Sequence, residues 1–137
     1  MNTYNLTVFL EDTDAGGIVY HAKYLHFMER CRTLFFYHKG VDHSQLIRSE
    51  AGHFVVKKIA VNFTRPAKLG DNLKVTLDVV EIRGASIICD QKVVKPYLEE
   101  ELEIANARVI IVFVDKSLHK PIRIPASIKD KIQKITN

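Results

Sequence analysis

The residues with the greatest chemical potential lie in the short acidic segment Glu11–Gly17, which reads EDTDAGG. Its carboxylates could act as a general base, a nucleophile or metal ligands. The adjacent glycines permit backbone angles that a side chain would forbid, and a helical pattern follows at once. A carboxylate held beside a helix start could act on a carbonyl whose oxygen is bound by free helix N–H groups. Asp14 is the candidate for that carboxylate.

The acidic segment admits three interpretations. Aspartate, threonine and glycine are common in turns and caps, so it could serve structure alone. As a calcium loop it would use Asp12 and Asp14 as first and third ligands, but Lys23 occupies the twelfth position, which requires a bidentate glutamate. As a catalytic loop it would supply a carboxylate next to a helix start, which ester or thioester cleavage needs. The pattern disfavours calcium and leaves the structural and catalytic interpretations open.

Other candidate groups are weaker. The chain contains no Gly-x-Ser-x-Gly, Gly-x4-Gly-Lys or His-Glu-x-x-His motif. Cys31 falls on the apolar face of the predicted helix, which favours core packing over a role as nucleophile. The imidazole of His21 could orient a water or contact solvent, whereas its backbone N–H is the better candidate for binding an oxygen. Glu29 and Arg32 are three residues apart and predict an ion pair, with water positioning by Glu29 as the alternative.

One long helix must position the acidic segment. Apolar residues recur with helical spacing from Ala22 to about Lys39, and Gly40 can end the helix in a left-handed conformation. These apolar positions are Tyr24, Phe27, Met28, Cys31, Leu34 and Phe35. The pattern predicts a helix of about five turns, roughly 27 Å long.

Alternating apolar and polar residues predict five strands around this helix. Leu6, Val8 and Leu10 define a first strand that runs into the acidic segment. Val41–Gly52 is predicted to be a loop with one helical turn at Ser44–Arg48. The second strand is predicted at 55–63, with Val55, Ile59, Val61 and Phe63 on one face. The third is predicted at 73–79, with Leu73, Val75, Leu77 and Val79 buried. The last two are predicted at Ser86–Lys95, which is broken near Pro96, and at Ile104–Asp115.

These elements predict a single α+β domain over residues 1–137. The connections between the later strands are too short for crossover helices, so those strands should be antiparallel in one curved sheet wrapped around the long helix. A short C-terminal helix should begin at Pro125, with Ile128, Ile132 and Ile135 on its apolar face. Because Val109–Val114 is apolar throughout and one helix covers only one sheet face, the other face should contact another subunit.

Composition narrows the classes of partner. The chain has 137 residues, of which 47% are hydrophobic and 26% charged, as expected of a globular protein. Its net charge of +4 comes from 20 basic residues with no basic block, which disfavours nucleic acid and is compatible with a small phosphorylated ligand. No leader pattern or long apolar run is present, so a cytoplasmic protein without a transmembrane segment is expected. Cys31 and Cys89 are interpreted as reduced core thiols.

Several segments together resemble a known family. EDTDAGGIVYHAKYLHFMERCRT, FVVKKIAVNFTRPAKLGD, RGASIICDQKV, and VFVD followed by KPIRIP are similar to the signature of the hotdog-fold acyl-CoA thioesterases. These form the 4-hydroxybenzoyl-CoA thioesterase superfamily, and the similarity is to its Tol-Pal-associated YbgC-like branch. The resemblance covers nearly the whole chain and implies a sheet wrapped around a long helix. It also implies homodimers whose sheets join, often paired into homotetramers.

The resemblance assigns roles within the acidic segment and the helix start. It implies that Asp14 is the essential carboxylate, acting as general base or nucleophile. It places the backbone amide of His21 where the family's oxyanion donor lies, and Tyr20 with His21 matches the Tyr-His pair after the double glycine. Arg65, Lys68 and Arg83 lie in turns similar to the family's ligand-binding segments, where basic residues would meet coenzyme A phosphates.

The implied function is hydrolysis of acyl-CoA thioesters, or of acyl carrier protein thioesters, without a metal or cofactor. Two alternatives stay open: an acyl-thioester hydratase or dehydratase, and a non-catalytic protein that binds acyl thioesters or an acyl carrier. The length of the acyl group, and whether it is aliphatic or aromatic, depend on pocket residues that no motif identifies.

Overall fold

The computed structural model describes residues 2–49 and 51–134, and it confirms the predicted α+β architecture. The elements in chain order are β1 (Thr3–Thr7), a 3-10 turn (Leu10–Asp12), α1 (His21–His38), α2 (His43–Arg48), β2 (His53–Phe63), β3 (Asn72–Arg83), β4 (Ser86–Tyr97), β5 (Glu100–Val114) and α3 (Ala126–Gln133). The strands form one antiparallel sheet in the order β1-β3-β4-β5-β2. Helix α1 packs against it.

Helix α1 ends as the sequence predicts. Gly40 has φ +85°, and the Gly40 and Val41 N–H groups donate to the carbonyls of Tyr37 (3.0 Å) and Phe36 (2.8 Å). These two bonds form a Schellman motif, which satisfies carbonyls that would otherwise lack a donor. The buried face differs from the prediction at two positions, because Phe36 is buried whereas Leu34 is exposed.

The first strand is shorter than predicted, because the chain leaves the sheet before the acidic segment. β1 pairs with β3 only as far as Thr7, and Val8 is the last buried residue of this stretch. Leu10 lies in the 3-10 turn and is 73% exposed, so its assignment to a buried strand face is wrong. The cause is local, since the side chain of Asp12 accepts the Phe9 N–H at 2.9 Å and draws the backbone into a turn.

The predicted inward face of β2 is confirmed at Ile59 and Val61, which are partly buried against the core, and is wrong at its two ends. A register shift between Val56 and Lys58 changes which side chains point inward. Phe54 is buried, whereas Val55 is 38% and Phe63 is 51% exposed. β2 is an edge strand, so one side of its backbone has no strand partner among residues 2–49 and 51–134.

The central strands follow the sequence pattern more closely. Leu73, Val75 and Leu77 are buried on β3, as predicted. Five of the six residues in Val109–Val114 are buried, which agrees with a strand covered on both faces. The β4–β5 hairpin is longer than predicted, because pairing continues through Pro96, which lies opposite Glu101.

The remaining helical and cysteine predictions are largely confirmed. Pro125 is the N-cap of α3, and Ile128 and Ile132 are buried, while Ile135 lies outside the described residues. Cys31 and Cys89 are both free and buried. No helix in the described part of the chain has the length and apolarity that crossing a bilayer requires.

Candidate active site

Asp12 is the buried acid of the acidic segment, with only 5% of its surface exposed. Its Oδ2 accepts the Phe9 N–H at 2.9 Å, and its Oδ1 lies 3.6 Å from the Lys23 Nζ. Its backbone carbonyl accepts the Tyr20 N–H at 2.9 Å. Asp12 therefore joins the start of the loop, the end of the loop and the first turn of α1. The sequence did not single out this positioning role.

Replacing Asp12 by alanine should lower the free energy of unfolding by roughly 1–3 kcal/mol, because the part-buried Phe9 N–H would lose its acceptor. Denaturant unfolding at neutral pH measures this loss. Glu11→Ala is the matched control, since Glu11 is an exposed acid in the same turn. Equal stability of the two variants would contradict the anchoring role of Asp12.

Asp14 is exposed and heads the tight turn that follows. Its N–H donates to the Ile18 carbonyl (2.9 Å), and its own carbonyl accepts the Gly17 N–H (3.1 Å). Its Oδ1 accepts the Gly16 N–H at 2.8 Å, and Oδ2 has no hydrogen-bond partner among the described residues. One carboxylate oxygen is thus fixed by the backbone, while the other is available to take a proton or to attack a carbonyl.

The double glycine makes this turn possible. Gly17 has φ +79°, a left-handed conformation that favours glycine. A Cβ at Gly16 would lie 3.3 Å from the Asp14 Oδ1, tighter than most contacts of real Cβ atoms. Both glycines therefore serve the conformation that presents the Asp14 side chain.

Helix α1 begins without a side-chain cap. Tyr20 is the N-cap, and its side chain makes no capping hydrogen bond. The Lys23 N–H is bonded to the Tyr20 carbonyl (2.8 Å), whereas the N–H groups of His21 and Ala22 have no acceptor within the described residues. These free N–H groups and the positive end of the helix dipole can bind the oxygen of a polarised carbonyl.

Aromatic side chains surround the helix start. The His21 ring lies 4.6 Å from the Tyr20 ring and 6.1 Å from the Phe63 ring, measured between centroids. The Tyr24 ring lies 5.9 Å from Phe63, and its hydroxyl accepts the Ala67 N–H at 3.1 Å. Burial raises the pKa of Tyr24. Phe63 and Tyr24 were not predicted as site residues, because their approach to His21 depends on how β2 and the following loop pack against α1.

The three basic residues predicted to bind substrate lie at different distances from the loop. Lys68 forms a bridge with Ile18, directly beside the Asp14 turn. Arg65 lies three residues earlier in the same connection and donates to the Glu103 carbonyl at 3.1 Å. Arg83 lies at the other end of β3, roughly 35 Å along the strand from Asn72, and pairs with Glu81 at 2.8 Å. Of the three, Lys68 pairs directly with the loop, and Arg65 lies three residues before it in the chain.

The predicted Glu29–Arg32 ion pair is wrong. Arg32 is 8% exposed, and its Nη1 donates to the Gln91 Oε1 at 2.9 Å. Glu29 is exposed and accepts the Thr33 hydroxyl at 2.7 Å. The two side chains leave the helix in different directions, because Arg32 turns toward the sheet.

Cys31 has the properties of a core residue, as the sequence favours. Its Sγ donates weakly to the Val75 carbonyl at 3.6 Å. Burial raises the pKa of the Cys31 thiol to about 11, so the reactive thiolate is suppressed at neutral pH. The chemistry available at this end of the molecule therefore comes from Asp14 and the start of α1.

Comparison with known proteins identifies the family of the chain. Residues 8–132 match the family model of the thioesterase-like superfamily. The acyl-CoA thioesterase YbgC of Haemophilus influenzae is 37% identical over 127 residues, which cover 93% of this chain and 90% of that protein. The acyl-CoA thioester hydrolase YbgC of Escherichia coli O6:H1 is 38% identical over 132 residues, covering 93% and 96%.

The fold has close counterparts among solved structures. The 1,4-dihydroxy-2-naphthoyl-CoA thioesterase Slr0204 from Synechocystis has a TM-score of 0.87 at 22% identity, covering 96% of this chain and 94% of that one. This similarity confirms the predicted hotdog fold. The chain belongs to the thioesterase-like superfamily and, within it, to the family of the YbgC acyl-CoA thioesterases.

Proposed function

We propose that the protein hydrolyses acyl-CoA thioesters to a free acid and a thiol. The observation that carries this proposal is the uncapped start of α1 together with the backbone-fixed carboxylate of Asp14, in a loop whose two ends are joined by the Thr13–Val19 bridge just before the helix. The thioester oxygen accepts the free N–H groups at the helix start, chiefly that of His21. This stabilises the negative charge that develops on the oxygen when the carbonyl carbon is attacked.

Asp14 can drive the attack by two routes. As general base it takes a proton from water, the hydroxide adds to the carbonyl carbon, and the carbon–sulfur bond breaks as the thiolate receives the proton. As nucleophile it forms an acyl anhydride and releases the thiolate, and water then cleaves the anhydride.

A single turnover in ¹⁸O-water separates the routes. Label enters the acid directly in the first route, whereas in the second, water that attacks the aspartyl carbonyl leaves label on Asp14.

Thiol release from purified protein tests the activity itself. A series of acyl-CoA substrates of increasing length, including aromatic ones, should release free thiol and identify the preferred acyl group. Loss of the enoyl absorbance without thiol release would instead indicate a hydratase. Binding of acyl thioesters without either change would indicate a carrier-binding protein. The YbgC relatives are named as thioesterases or thioester hydrolases, which supports hydrolysis over both alternatives.

Lys68→Ala should raise KM for acyl-CoA about fivefold and leave kcat almost unchanged, because we assign Lys68 to the phosphates of coenzyme A and not to the reacting carbonyl. The position of Lys68 beside the Asp14 turn supports this assignment. The measurement compares acyl-CoA with acyl-pantetheine, which lacks the nucleotide phosphates. Lys120→Ala, an exposed lysine at the other end of the sheet, is the control. An equal rise in KM for both substrates would contradict a phosphate contact.

We also propose that two copies associate through the exposed edge of β2, with a pair of dimers as the further assembly. Exposed Val55, Val56 and Phe63 on this strand, together with exposed Asp14, support an interface that would exclude water from the site. In such an assembly Arg83 could serve only the site of another subunit. Light scattering at several concentrations should give at least twice the chain mass of 15.7 kDa, and a monomer throughout would contradict the interface.

The resemblance to the Tol-Pal-associated branch supports a cytoplasmic location, association with Tol-Pal components, and use of acyl carrier protein thioesters besides acyl-CoA. Hydrolysis rates on the same acyl group carried by coenzyme A and by acyl carrier protein test the choice of carrier. Affinity capture from cells that express Tol-Pal proteins tests the association. Cell fractionation tests the location.

A further inference from the structure

The connection between β2 and β3 bonds to the chain on both sides of the acidic segment. Residues 67–71 of this connection, the bridging segment, make these bonds. Before the acidic segment, the Val8 N–H donates to the Asp71 carbonyl at 2.9 Å. After the acidic segment, the Val19 N–H donates to the Ala67 carbonyl at 2.9 Å. The bridging segment therefore joins the two ends of the loop that carries the candidate catalytic carboxylate.

The side chain of Tyr24 fixes the first residue of the bridging segment. Tyr24 lies in the first turn of α1 and is 4% exposed, and its hydroxyl accepts the Ala67 N–H at 3.1 Å. Ala67 is fully buried, so its N–H cannot bond to water in place of the hydroxyl. The N–H and the carbonyl of Ala67 thus tie the first turn of α1 to Val19, just before the helix. This arrangement fixes the direction in which the chain enters α1, and with it the direction of the His21 N–H.

The carboxylate of Asp71 fixes the rest of the bridging segment. Its Oδ2 accepts the Lys68 N–H at 2.8 Å, and its Oδ1 accepts a hydrogen bond at 3.0 Å from the Lys95 ammonium on β4. Burial opposes the charged form of Asp71, but the Lys68 N–H and the Lys95 ammonium outweigh it and hold the pKa of this carboxyl below its usual range. Because Lys68 pairs with Ile18, the ionised carboxylate secures the residue that contacts the Asp14 turn.

The bonds of Asp14 itself do not determine where its turn lies. They run to Gly16, Gly17 and Ile18, all within or next to the turn, so they determine its shape. The position of the turn relative to α1 depends on bonds to other parts of the chain. Asp12 supplies such bonds at the start of the loop, and the bridging segment supplies them at both ends. A displacement of about 1 Å in a catalytic group can lower a rate about 10²-fold.

We propose that Tyr24 and Asp71 are positioning residues, which hold the Asp14 turn and the start of α1 in the relative geometry that hydrolysis needs. They act through the bridging segment. Tyr24 is buried and both carboxylate oxygens of Asp71 already accept hydrogen bonds, so neither side chain takes a proton from water. This role rests on the proposed function, because it concerns the geometry of the same reaction.

Tyr24→Phe removes the hydroxyl and keeps the ring that contacts Phe27 and Phe63. The Ala67 N–H then loses its acceptor, so the bridging segment should move relative to α1. We expect kcat for acyl-pantetheine to fall about tenfold and KM to change by less than about twofold, because the loss affects the reacting geometry and not the binding of the substrate. Acyl-pantetheine is the substrate because it lacks the nucleotide phosphates that Lys68 would contact.

Asp71→Ala and Asp71→Asn form a second test. Alanine removes the acceptor of the Lys68 N–H, so kcat for acyl-pantetheine should fall about tenfold. Asparagine keeps an oxygen that can accept this N–H and loses only the charge, so kcat should stay within about threefold of the parent. Equal losses in the two variants would show that the charge matters and not the bond to the bridging segment, and would overturn the role proposed for Asp71.

Ile128→Ala separates positioning from loss of stability. Ile128 is buried on α3, and Lys131 of the same helix donates to the Gly40 carbonyl at 3.3 Å, so α3 packs at the opposite end of α1 from His21. The truncation destabilises the core without touching the bridging segment, and kcat of the folded protein should stay within about twofold of the parent. Denaturant unfolding compares the stabilities. A test variant that lowers kcat no more than this control would overturn the positioning role of its residue.

Hydrogen exchange tests the same role without activity. The amide protons of Asp14 and Val19 are bonded within the loop and at its end, and they should exchange at least about fivefold faster in Tyr24→Phe and Asp71→Ala than in Ile128→Ala. Unchanged exchange would overturn the proposal even if the parent hydrolyses acyl-CoA. Faster exchange in a protein whose parent releases no thiol would contradict the proposed function and support the hold of Tyr24 and Asp71 on the loop.

Discussion

Replacing Asp14 by asparagine should reduce kcat for acyl-CoA hydrolysis by about 10²–10⁴-fold, the range typical of losing a positioned acid or base. The asparagine side-chain oxygen can still accept the Gly16 N–H that now fixes the Asp14 Oδ1, so the turn should keep its shape. The amide can neither take a proton from water nor attack a carbonyl. Because Asp14 is exposed, stability should change by less than about 0.5 kcal/mol.

Thiol release under saturating acyl-CoA measures this loss, and denaturant unfolding of the same variant shows whether the fold is retained. Glu11→Gln is the matched control, because it removes an exposed carboxylate from the same segment without touching the Asp14 turn. It should keep kcat within about twofold of the parent. An Asp14→Asn protein that hydrolyses acyl-CoA at the parental rate would remove Asp14 from the mechanism.

The sequence predicted the acidic segment as the candidate catalytic segment but not the different positions of its two aspartates. Asp12 and Asp14 have the same side chain and lie two residues apart. Their difference arises from tertiary placement, because Asp12 turns inward to the Phe9 N–H and Lys23, whereas Asp14 meets only its own turn. The same inward bond ends β1 early and exposes Leu10. Local pattern does not contain this information, since Leu10 fits the alternation of a strand.

Predictions from the local sequence were correct where hydrogen bonds between residues close in the chain determine the structure. The end of α1 was predicted from Gly40, whose left-handed conformation closes the helix through bonds to its own last turn. Arg32 shows the opposite case, since its nearest acid in sequence is Glu29, yet it bonds to Gln91, which is 59 residues away on β4. The predicted inward face of β2 is correct at Ile59 and Val61 but not at Val55, because the register shift between Val56 and Lys58 depends on the pairing of β2 with β5.

Replacing His21 by proline should lower kcat for acyl-CoA about 10²–10³-fold, the cost of removing one oxyanion donor. His21 is the first residue of α1, the position where proline is tolerated in a helix because no intrahelical bond is lost. Tyr20 has φ −63° and ψ 129°, which suits a residue before proline. The substitution therefore deletes an N–H that has no acceptor among the described residues and leaves the helix in place.

The matched control is His21→Ala, which removes the imidazole and keeps the backbone N–H. Both variants lose the ring contacts with Tyr20 and Phe63, so a difference between them reports the amide alone. His21→Ala should retain kcat within about fivefold, and circular dichroism should show equal helix content in the two proteins. If both variants lost activity to the same extent, the imidazole and not the amide would be the functional group. The helix start would then have to bind the carbonyl oxygen through Ala22, whose N–H also lacks an acceptor in the described part of the chain.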